Sequence, residues 1–270
     1  MSVQAAFLLP SSPLPFFRPD NAPWQPLHSA LQTCGRRVAE LAPDVLIVYS
    51  TSWTAVMDQL WQTRAVLEGR HIDHNWFEYG ELGYRFRTDT ELAARCVAGA
   101  NAAGLQSKGV DYDQFPIDTG TIVAMHYLNP EGRIPVVITS NNLYHDGATT
   151  RRIAATAVNA AAEQGKRAVV VAIGELSGTF FRHDIDIAAD TVFTPAADAA
   201  NHAMLDLLVG GDGEAVRAAL PAYAGEAKVD FGFKHLEFLL EALGDRIGSA
   251  EVLGYGPLYG RGGAVVQLNP

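Results

Sequence analysis

The sequence contains little cysteine and few basic residues. Its 270 residues include two cysteines, Cys34 and Cys96, and neither lies in a Cys-x-x-Cys or other zinc-binding spacing. This usage is typical of a reducing compartment and gives no basis for a disulfide framework. Twenty Lys and Arg residues against 30 Asp and Glu residues give a net charge of −10. Because phosphate binding requires a basic surface, this balance argues against a nucleic-acid partner.

Long apolar runs and a secretion signal are also lacking. No stretch approaches the roughly 18 apolar residues of a membrane span, so we predict no membrane contact. The opening "MSVQAAFLLPSSP" has a short apolar run without a basic flank, which favours a first strand over a signal peptide. We therefore expect a cytoplasmic protein. With 48% hydrophobic and 19% charged residues, the composition indicates a sizeable core rather than disorder.

Short apolar runs alternate with helical patterns along the chain. Four Val/Ile/Leu-rich runs are typical of strands buried on both faces: 3–9, 44–50, 134–140 and 167–173. Four helical patterns accompany them: 24–41, 88–104, 148–165 and 233–244. Two late runs, 250–256 and 264–269, flank a Gly-rich turn and predict an antiparallel pair. The alternation predicts an α/β fold over 1–270 as a single domain, with a central mixed, mostly parallel sheet flanked by helices and a C-terminal strand pair.

Two Gly-rich segments suggest familiar catalytic or binding motifs but do not match them. The hydrolase nucleophile elbow is Gly-x-Ser-x-Gly, whereas the turn from Gly174 to Gly178 has the order Gly-x-x-Ser-Gly. Ser177 is therefore interpreted as a helix N-cap, and the nearby His183 is not thereby placed in a catalytic triad. The segment 254–263 does not open a helix after a first strand, so it indicates a turn rather than a dinucleotide site.

Two groups of histidines and carboxylates contain possible metal ligands. His71 and His74 are three residues apart, with Asp73 and Glu78 nearby, and His145–Asp146 follows a predicted strand. Imidazole and carboxylate groups of this kind bind iron or zinc. Neither group has the His-Glu-x-x-His spacing, and we favour ordinary hydrogen-bonded packing for these histidines.

Six stretches of the sequence resemble a known family in their order and spacing. They are "FLLPSSPLP", "VYSTSW", "KGVDYDQFPIDTGTIVAMHYL", "PVVITSNNLYHD", "VVVAIGELSG" and "GFKHLEFLLEALG". Together they resemble the class III extradiol ring-cleavage dioxygenases, the protocatechuate 4,5-dioxygenase-like superfamily, over nearly the whole chain. Within that superfamily the sequence is most similar to the α subunits of the 2-aminophenol 1,6-dioxygenases, in stretches such as "DQLWQTR", "NWFEYGEL" and "SNNLYHD".

The resemblance also indicates where catalytic residues would be expected. Catalytic members hold Fe(II) with two histidines and a glutamate, and a further histidine acts as acid/base. In this sequence other residues take those positions: Ser11 (or Pro10) and Ser52 for the two histidine ligands, Thr119 for a mid-chain histidine, Gly178 for the acid/base, and His235 (or the nearby Glu237) for the glutamate. Because hydroxyl groups are poor ligands for a borderline divalent cation, these positions are interpreted as a degenerate pocket.

The resemblance then implies a supporting role. The chain would be a non-catalytic α subunit with no catalytic residue, metal or cofactor of its own. A homologous β subunit would carry Fe(II), the assembly would be α2β2, and the complex would bind an aromatic substrate, 2-aminophenol or a close relative, and open its ring with dioxygen. Four aromatic residues are candidate interface anchors, with ordinary core as an equal alternative: Trp61, Trp76, Phe77 and Tyr79.

Two alternatives remain open from the sequence. The chain is a catalyst with a rebuilt metal site, drawn from His71, His74, His126, His145 and His235 with Asp118, Glu175 or Glu237. Otherwise it is a free-standing scaffold or binding protein that takes a small aromatic molecule into the pocket.

Overall fold

The computed structural model describes residues 3–178 and 184–270, and these residues form ten strands, eight α-helices and three short 3-10 helices. The strands are β1 (Val3–Leu9), β2 (Val45–Ala55), β3 (Gln59–Gln62), β4 (Val66–Ile72), β5 (Glu81–Arg87), β6 (Ser107–Val110), β7 (Val136–Asn142), β8 (Ala168–Ile173), β9 (Ser249–Leu258) and β10 (Arg261–Asn269). The helices are α1 (Leu14–Phe17), α2 (Gln25–Leu41), α3 (Thr90–Ala102), α4 (Thr119–Leu128), α5 (Gly147–Glu163), α6 (Pro195–Val209), α7 (Gly213–Ala227) and α8 (Lys234–Ala242).

Eight of the strands form one mixed sheet, in the order β6-β3-β7-β2-β8-β1-β10-β9. Its centre is parallel, because β2 pairs in parallel with β7 and β8, and β8 pairs in parallel with β1. The last two strands form an antiparallel pair, and β10 also runs antiparallel to β1. The predicted α/β fold, its mostly parallel sheet and its C-terminal strand pair are confirmed.

Helices pack on both faces of this sheet. One face is covered mainly by α2 and α4, and the other by α3, α5, α6, α7 and α8. The four predicted helices are present within a few residues of their expected ends. Four helices were not predicted: α1, α4, α6 and α7. For α4 the reason is that the helix is buried on nearly every side and shows no amphipathic period.

The aromatic-rich segment 61–88 contains a hairpin apart from the main sheet, formed by β4 and β5. Trp61 is fully buried at the end of β3, and its indole N–H donates to the Ser107 hydroxyl at 2.9 Å. Its suggested role as an interface anchor is therefore wrong, since the ring belongs to the core. Phe77 is 66% exposed, whereas Trp76 and Tyr79 are half-buried and stack on each other.

Among the described residues, no helix combines the length and the apolar character needed to cross a bilayer.

Asp118 is the N-cap of α4 and offers a test of what fixes this helix. Its carboxylate accepts hydrogen bonds from the Thr121 N–H at 3.0 Å, the Thr121 hydroxyl at 2.7 Å and the Ser50 hydroxyl at 2.7 Å. We expect Asp118→Ala to lower the free energy of unfolding by about 2 kcal/mol, measured by urea denaturation. The control is Asp212→Ala, which removes the cap of α7 and only backbone donors, with an expected loss of about 1 kcal/mol. Equal losses in the two variants would show that the bonds from the Ser50 and Thr121 hydroxyls add nothing to the helix cap.

Candidate functional site

An open cleft of about 640 Å³ lies at the carboxyl ends of β1 and β2. Ligands of open α/β sheets bind at this edge, where successive strands end and their connections diverge. The cleft is lined by Ser11 after β1, Ser52 near the end of β2 and Thr119 at the start of α4. Its walls also carry apolar side chains, among them Trp53, Trp76, Ile117, Phe231 and Leu258. The fold thus brings three of the five pocket positions from the sequence analysis to one place.

The other two positions, Gly178 and His235, lie away from the cleft lining. Gly178 borders a separate cavity of about 40 Å³, and a Cβ built on it would lie 3.5 Å from Arg261 Nε, an ordinary contact distance. His235 is fully buried on α8, directly beneath Gly174, where an added Cβ would come 2.9 Å from the imidazole ring. Within the described residues, neither ring nitrogen of His235 has a hydrogen-bond partner. Burial lowers the pKa of His235 to about 4, so the ring is neutral at pH 7.

The floor of the cleft is built around the fully buried carboxylate of Glu175, just after β8. One of its oxygens accepts the backbone N–H groups of Ser11 and Ser12 at 3.1 and 3.0 Å, and the other accepts the Ser11 hydroxyl at 2.6 Å. The Ser11 hydroxyl therefore donates its proton to Glu175, and the turn after β1 is fastened to the turn after β8.

Arg261 supplies the positive charge of this floor. Its Nη2 lies 3.2 Å from a Glu175 carboxylate oxygen and 2.6 Å from a carboxylate oxygen of Asp230. Asp230 in turn accepts the backbone N–H of Glu175 at 3.1 Å. A guanidinium between two largely buried carboxylates compensates charges that would otherwise be costly to remove from water.

The two carboxylates differ in their acidity. Burial raises the pKa of Glu175, and the charge of Asp230 adds to this effect, while the Arg261 charge opposes it. Burial also acts to raise the pKa of Asp230, but the Arg261 charge and hydrogen bonds involving Glu175 outweigh it, so the net pKa lies below its usual value. The Arg261 charge therefore favours the ionised form of both carboxyl groups.

A second polar network forms one wall of the cleft around Thr119. The Thr119 hydroxyl donates to an Asp73 carboxylate oxygen at 2.6 Å and lies 2.7 Å from His71 Nε2. Because a hydroxyl has one proton to donate, His71 Nε2 must carry a hydrogen and act as the donor. Asp73 also accepts the backbone N–H groups of Asn75 and Trp76. This network ties the connection after β4 to the start of α4.

The proposed metal ligands do not form a metal-binding group. In residues 3–178 and 184–270, no three His, Cys, Asp or Glu side chains converge so as to hold a metal ion. His71, Asp73 and His74 do line the cleft, whereas Glu78 is exposed. Asp146 instead caps α5 by accepting the Thr149 N–H.

Ser177 also forms hydrogen bonds that hold the backbone in place. Its hydroxyl accepts hydrogen bonds from the Asn201 amide at 2.8 Å and from the Gly262 N–H at 3.1 Å, and its backbone forms a β-bridge with Gly262. These bonds fasten the turn to β10 and replace the helix-capping role that the sequence suggested. His183 lies outside the described residues.

Comparisons with known proteins agree with this fold. Residues 11–261 match the family model described as the catalytic LigB subunit of aromatic ring-opening dioxygenase. The chain belongs to this family. It is 45% identical over 270 residues, all of both chains, to the 2-aminophenol 1,6-dioxygenase alpha subunit of Pseudomonas sp. It is 29% identical over 267 residues to the beta subunit of 2-aminophenol 1,6-dioxygenase of Pseudomonas sp, covering 93% of this chain and 88% of the relative.

The LigB-family fold is also found in a solved structure of low sequence identity. An uncharacterized protein from Escherichia coli K12 has a TM-score of 0.70 with this chain at 15% identity, covering 98% of this chain and 100% of the other. At that identity the likeness concerns the fold alone. The resemblance to the extradiol dioxygenase superfamily is thereby confirmed for the whole length of the LigB-family chain.

Several residues of the cleft floor were missed by the sequence analysis. Arg261 and Asp230 were not singled out, and Glu175 was considered only as a possible ligand of a rebuilt metal site. The one signal in the sequence is Arg261 itself, a lone cation in the glycine-rich turn "YGRGG" before the last strand.

Removing Arg261 tests the charge balance of the floor. We expect Arg261→Met to lower the free energy of unfolding by about 3–5 kcal/mol at pH 7, because two buried carboxylates then lack a counter-charge. The double variant Glu175→Gln/Arg261→Met should recover a large part of this loss, since one of the two charges is gone. Chemical denaturation of both variants measures the difference. If the double variant is no more stable than the single one, the loss comes from packing rather than charge.

His235 should make the protein sensitive to acid. Its pKa is about 4 in the folded chain, against an ordinary value of 6.5, so between these pH values the unfolded chain binds the proton and the folded chain does not. Stability should therefore fall by up to about 3 kcal/mol as the pH drops from 6.5 to 4. His235→Leu should remove this component from denaturation curves recorded at pH 7 and pH 5. An unchanged pH dependence in His235→Leu would contradict the assignment.

Proposed function

We propose that this chain is the non-catalytic, iron-free α subunit of a 2-aminophenol 1,6-dioxygenase. Its homologous β subunit carries the Fe(II), and the two chains form an α2β2 assembly that opens the ring of 2-aminophenol or a close relative. The observation that carries the proposal is the cleft floor, where a carboxylate and a guanidinium of the same chain are paired. The 45% identity to an alpha subunit over the whole chain supports the same role.

The residues of the cleft do not fit Fe(II). A site for this ion needs neutral imidazole and carboxylate donors with open positions for substrate and dioxygen. Here the Ser11 hydroxyl points its hydrogen at Glu175, and the Glu175 carboxylate is already shared among three donors and Arg261. A cation entering this floor would meet the guanidinium and would have to break these bonds. No catalytic step through a metal is therefore assigned to this chain.

The position of the expected acid/base points in the same direction. Gly178 has no side chain to move a proton, and the nearest polar group, the Arg261 guanidinium, stays protonated and paired with carboxylates. A permanently charged guanidinium cannot alternate between acid and base during a reaction. The remaining role for the chain is to assemble with a partner that has these groups.

A second candidate function is favoured by one observation. The cleft is open, and aromatic rings including Trp53 and Trp76 remain in its walls. On this alternative the chain is a binding protein that accommodates a small aromatic molecule without transforming it. The rebuilt-catalyst alternative has less support. Of its candidate residues, His71, His74 and Asp118 line the cleft but His126, His145 and His235 do not, and no three His, Cys, Asp or Glu side chains of the described residues converge so as to hold a metal ion.

The test compares the full chain alone with the chain in its complex. Purified alone and supplied with Fe(II) under anaerobic conditions, the chain should retain no stoichiometric iron by elemental analysis and consume no dioxygen with 2-aminophenol. Co-expressed with the Pseudomonas 2-aminophenol 1,6-dioxygenase β subunit, it should copurify with one iron per αβ pair. The β subunit alone is the control for activity. Stoichiometric iron in the isolated chain, or ring opening by it, would refute the non-catalytic assignment.

A further inference from the structure

The hairpin of β4 and β5 has one covered edge and one open edge. On the β5 side, Thr88 bridges to Val136, the Asp89 N–H donates to the Val136 carbonyl, and the Arg87 guanidinium donates to the Arg133 carbonyl. On the β4 side, no strand of the described residues pairs with the outer edge of Val66–Ile72. Within residues 3–178 and 184–270, the seven residues of β4 thus pair with a neighbouring strand on one side only.

Space for another strand exists beside this edge. A groove of about 950 Å³ is lined by consecutive residues of the β4 segment, 64–71, by Tyr84 of β5 and by the facing loop, 111–117. A long unpaired strand edge is a template for pairing with another chain, and proteins usually protect such edges. We therefore asked which partner the unpaired edge of β4 fits, and the charged side chains of β4 indicate one.

The side chains of β4 alternate between two faces of the hairpin. Glu68 and Arg70 project from the exposed face, with Gly69 between them, while Leu67 is buried on the opposite face. In the hairpin itself Glu68 forms an ion pair with Arg85, and Arg70 lies 3.2 Å from Glu81.

Antiparallel pairing of two β4 strands around Gly69 would match their charges. In that register Glu68 of each copy lies directly opposite Arg70 of the other, on the same face, and cross-strand pairs of opposite charge stabilise a sheet. Gly69 faces Gly69 at the two-fold axis, so no side chain meets its own copy there. Sliding one strand by two residues along the other would instead place Glu68 opposite Glu68, or Arg70 opposite Arg70, depending on the direction. Like charges directly opposite each other destabilise a sheet.

The charge of the surrounding segment also permits self-association. Residues 64–87 contain four arginines and four acidic residues, so this segment is neutral with its histidines uncharged, although the chain carries −10. The general repulsion between two acidic chains is therefore reduced at the hairpin, and the two acidic residues of the facing loop, Asp111 and Asp113, are both paired with Arg64.

We propose that two copies of this chain associate through their β4 edges, in an antiparallel register centred on Gly69. The result is a four-stranded sheet, β5-β4-β4-β5, across a two-fold axis, with a row of alternating charges on its exposed face. The interface does not depend on whether the cleft binds iron, so it stands or falls separately from the proposed function.

A charge-swap pair of variants tests the register. Glu68→Arg sets a new guanidinium against Arg70 of the second copy, and Arg70→Glu sets a new carboxylate against Glu68 of the second copy. Each variant therefore repels itself at both symmetry-related pairs. When the two variants are mixed, both pairs again join a guanidinium to a carboxylate. The change inside each hairpin is the same alone and in the mixture, so the comparison isolates the contact between copies.

The measurement is the molar mass of the full chain by light scattering coupled to size-exclusion chromatography, over a concentration series. The unmodified chain should approach twice 29.0 kDa. Each single variant should dissociate about tenfold or more readily, and the mixture should recover the dimer. Far-UV circular dichroism checks that each variant is folded. A monomeric unmodified chain, single variants that dimerise as well as it does, or a mixture of folded variants that stays monomeric would each overturn the proposal.

Discussion

The ion cluster of Glu175, Arg261 and Asp230 is the interaction on which the cleft depends. Two carboxylates lie next to each other at the edge of the sheet, one of them fully buried, and one guanidinium lies between them. Buried ions are compensated when a counter-charge and further hydrogen bonds are both present, and Glu175 has both. The same bonds fix the turns after β1 and β8, so that the floor of the cleft is rigid without any added group.

The sheet topology explains why residues distant in sequence meet in this cluster. β1 lies between β8, to which it is parallel, and β10, to which it is antiparallel. The carboxyl ends of β1 and β8 and the amino end of β10 therefore lie at one edge of the sheet. Ser11 follows β1, Glu175 follows β8 and Arg261 begins β10, and this order alone brings the three side chains together.

Sequence patterns predicted the fold better than the site. The central strands β1, β2, β7 and β8 are buried on both faces, and continuous Val/Ile/Leu runs report that directly. Helix α4 has no comparable sequence pattern, because an apolar helix enclosed by its neighbours lacks a polar face. The burial of Trp61 could not be predicted either, because the residue type is the same for an aromatic side chain in a core and for one on a surface. The positions Ser11, Ser52 and Thr119 came from the family resemblance. The contact of Arg261 with Glu175 required the antiparallel placement of β10, which a pattern of apolar residues does not contain.

The cleft wall and the hairpin edge are mechanically connected. Thr119 at the start of α4 bonds to both Asp73 and His71, and His71 belongs to β4 itself. The hairpin is thus attached to the half-buried N-terminus of α4, which lines the cleft. The same wall therefore belongs to two features at once, the cleft and the hairpin. The proposed pairing of two β4 edges relies on the contacts that Thr119 makes with Asp73 and His71 on this side of the cleft.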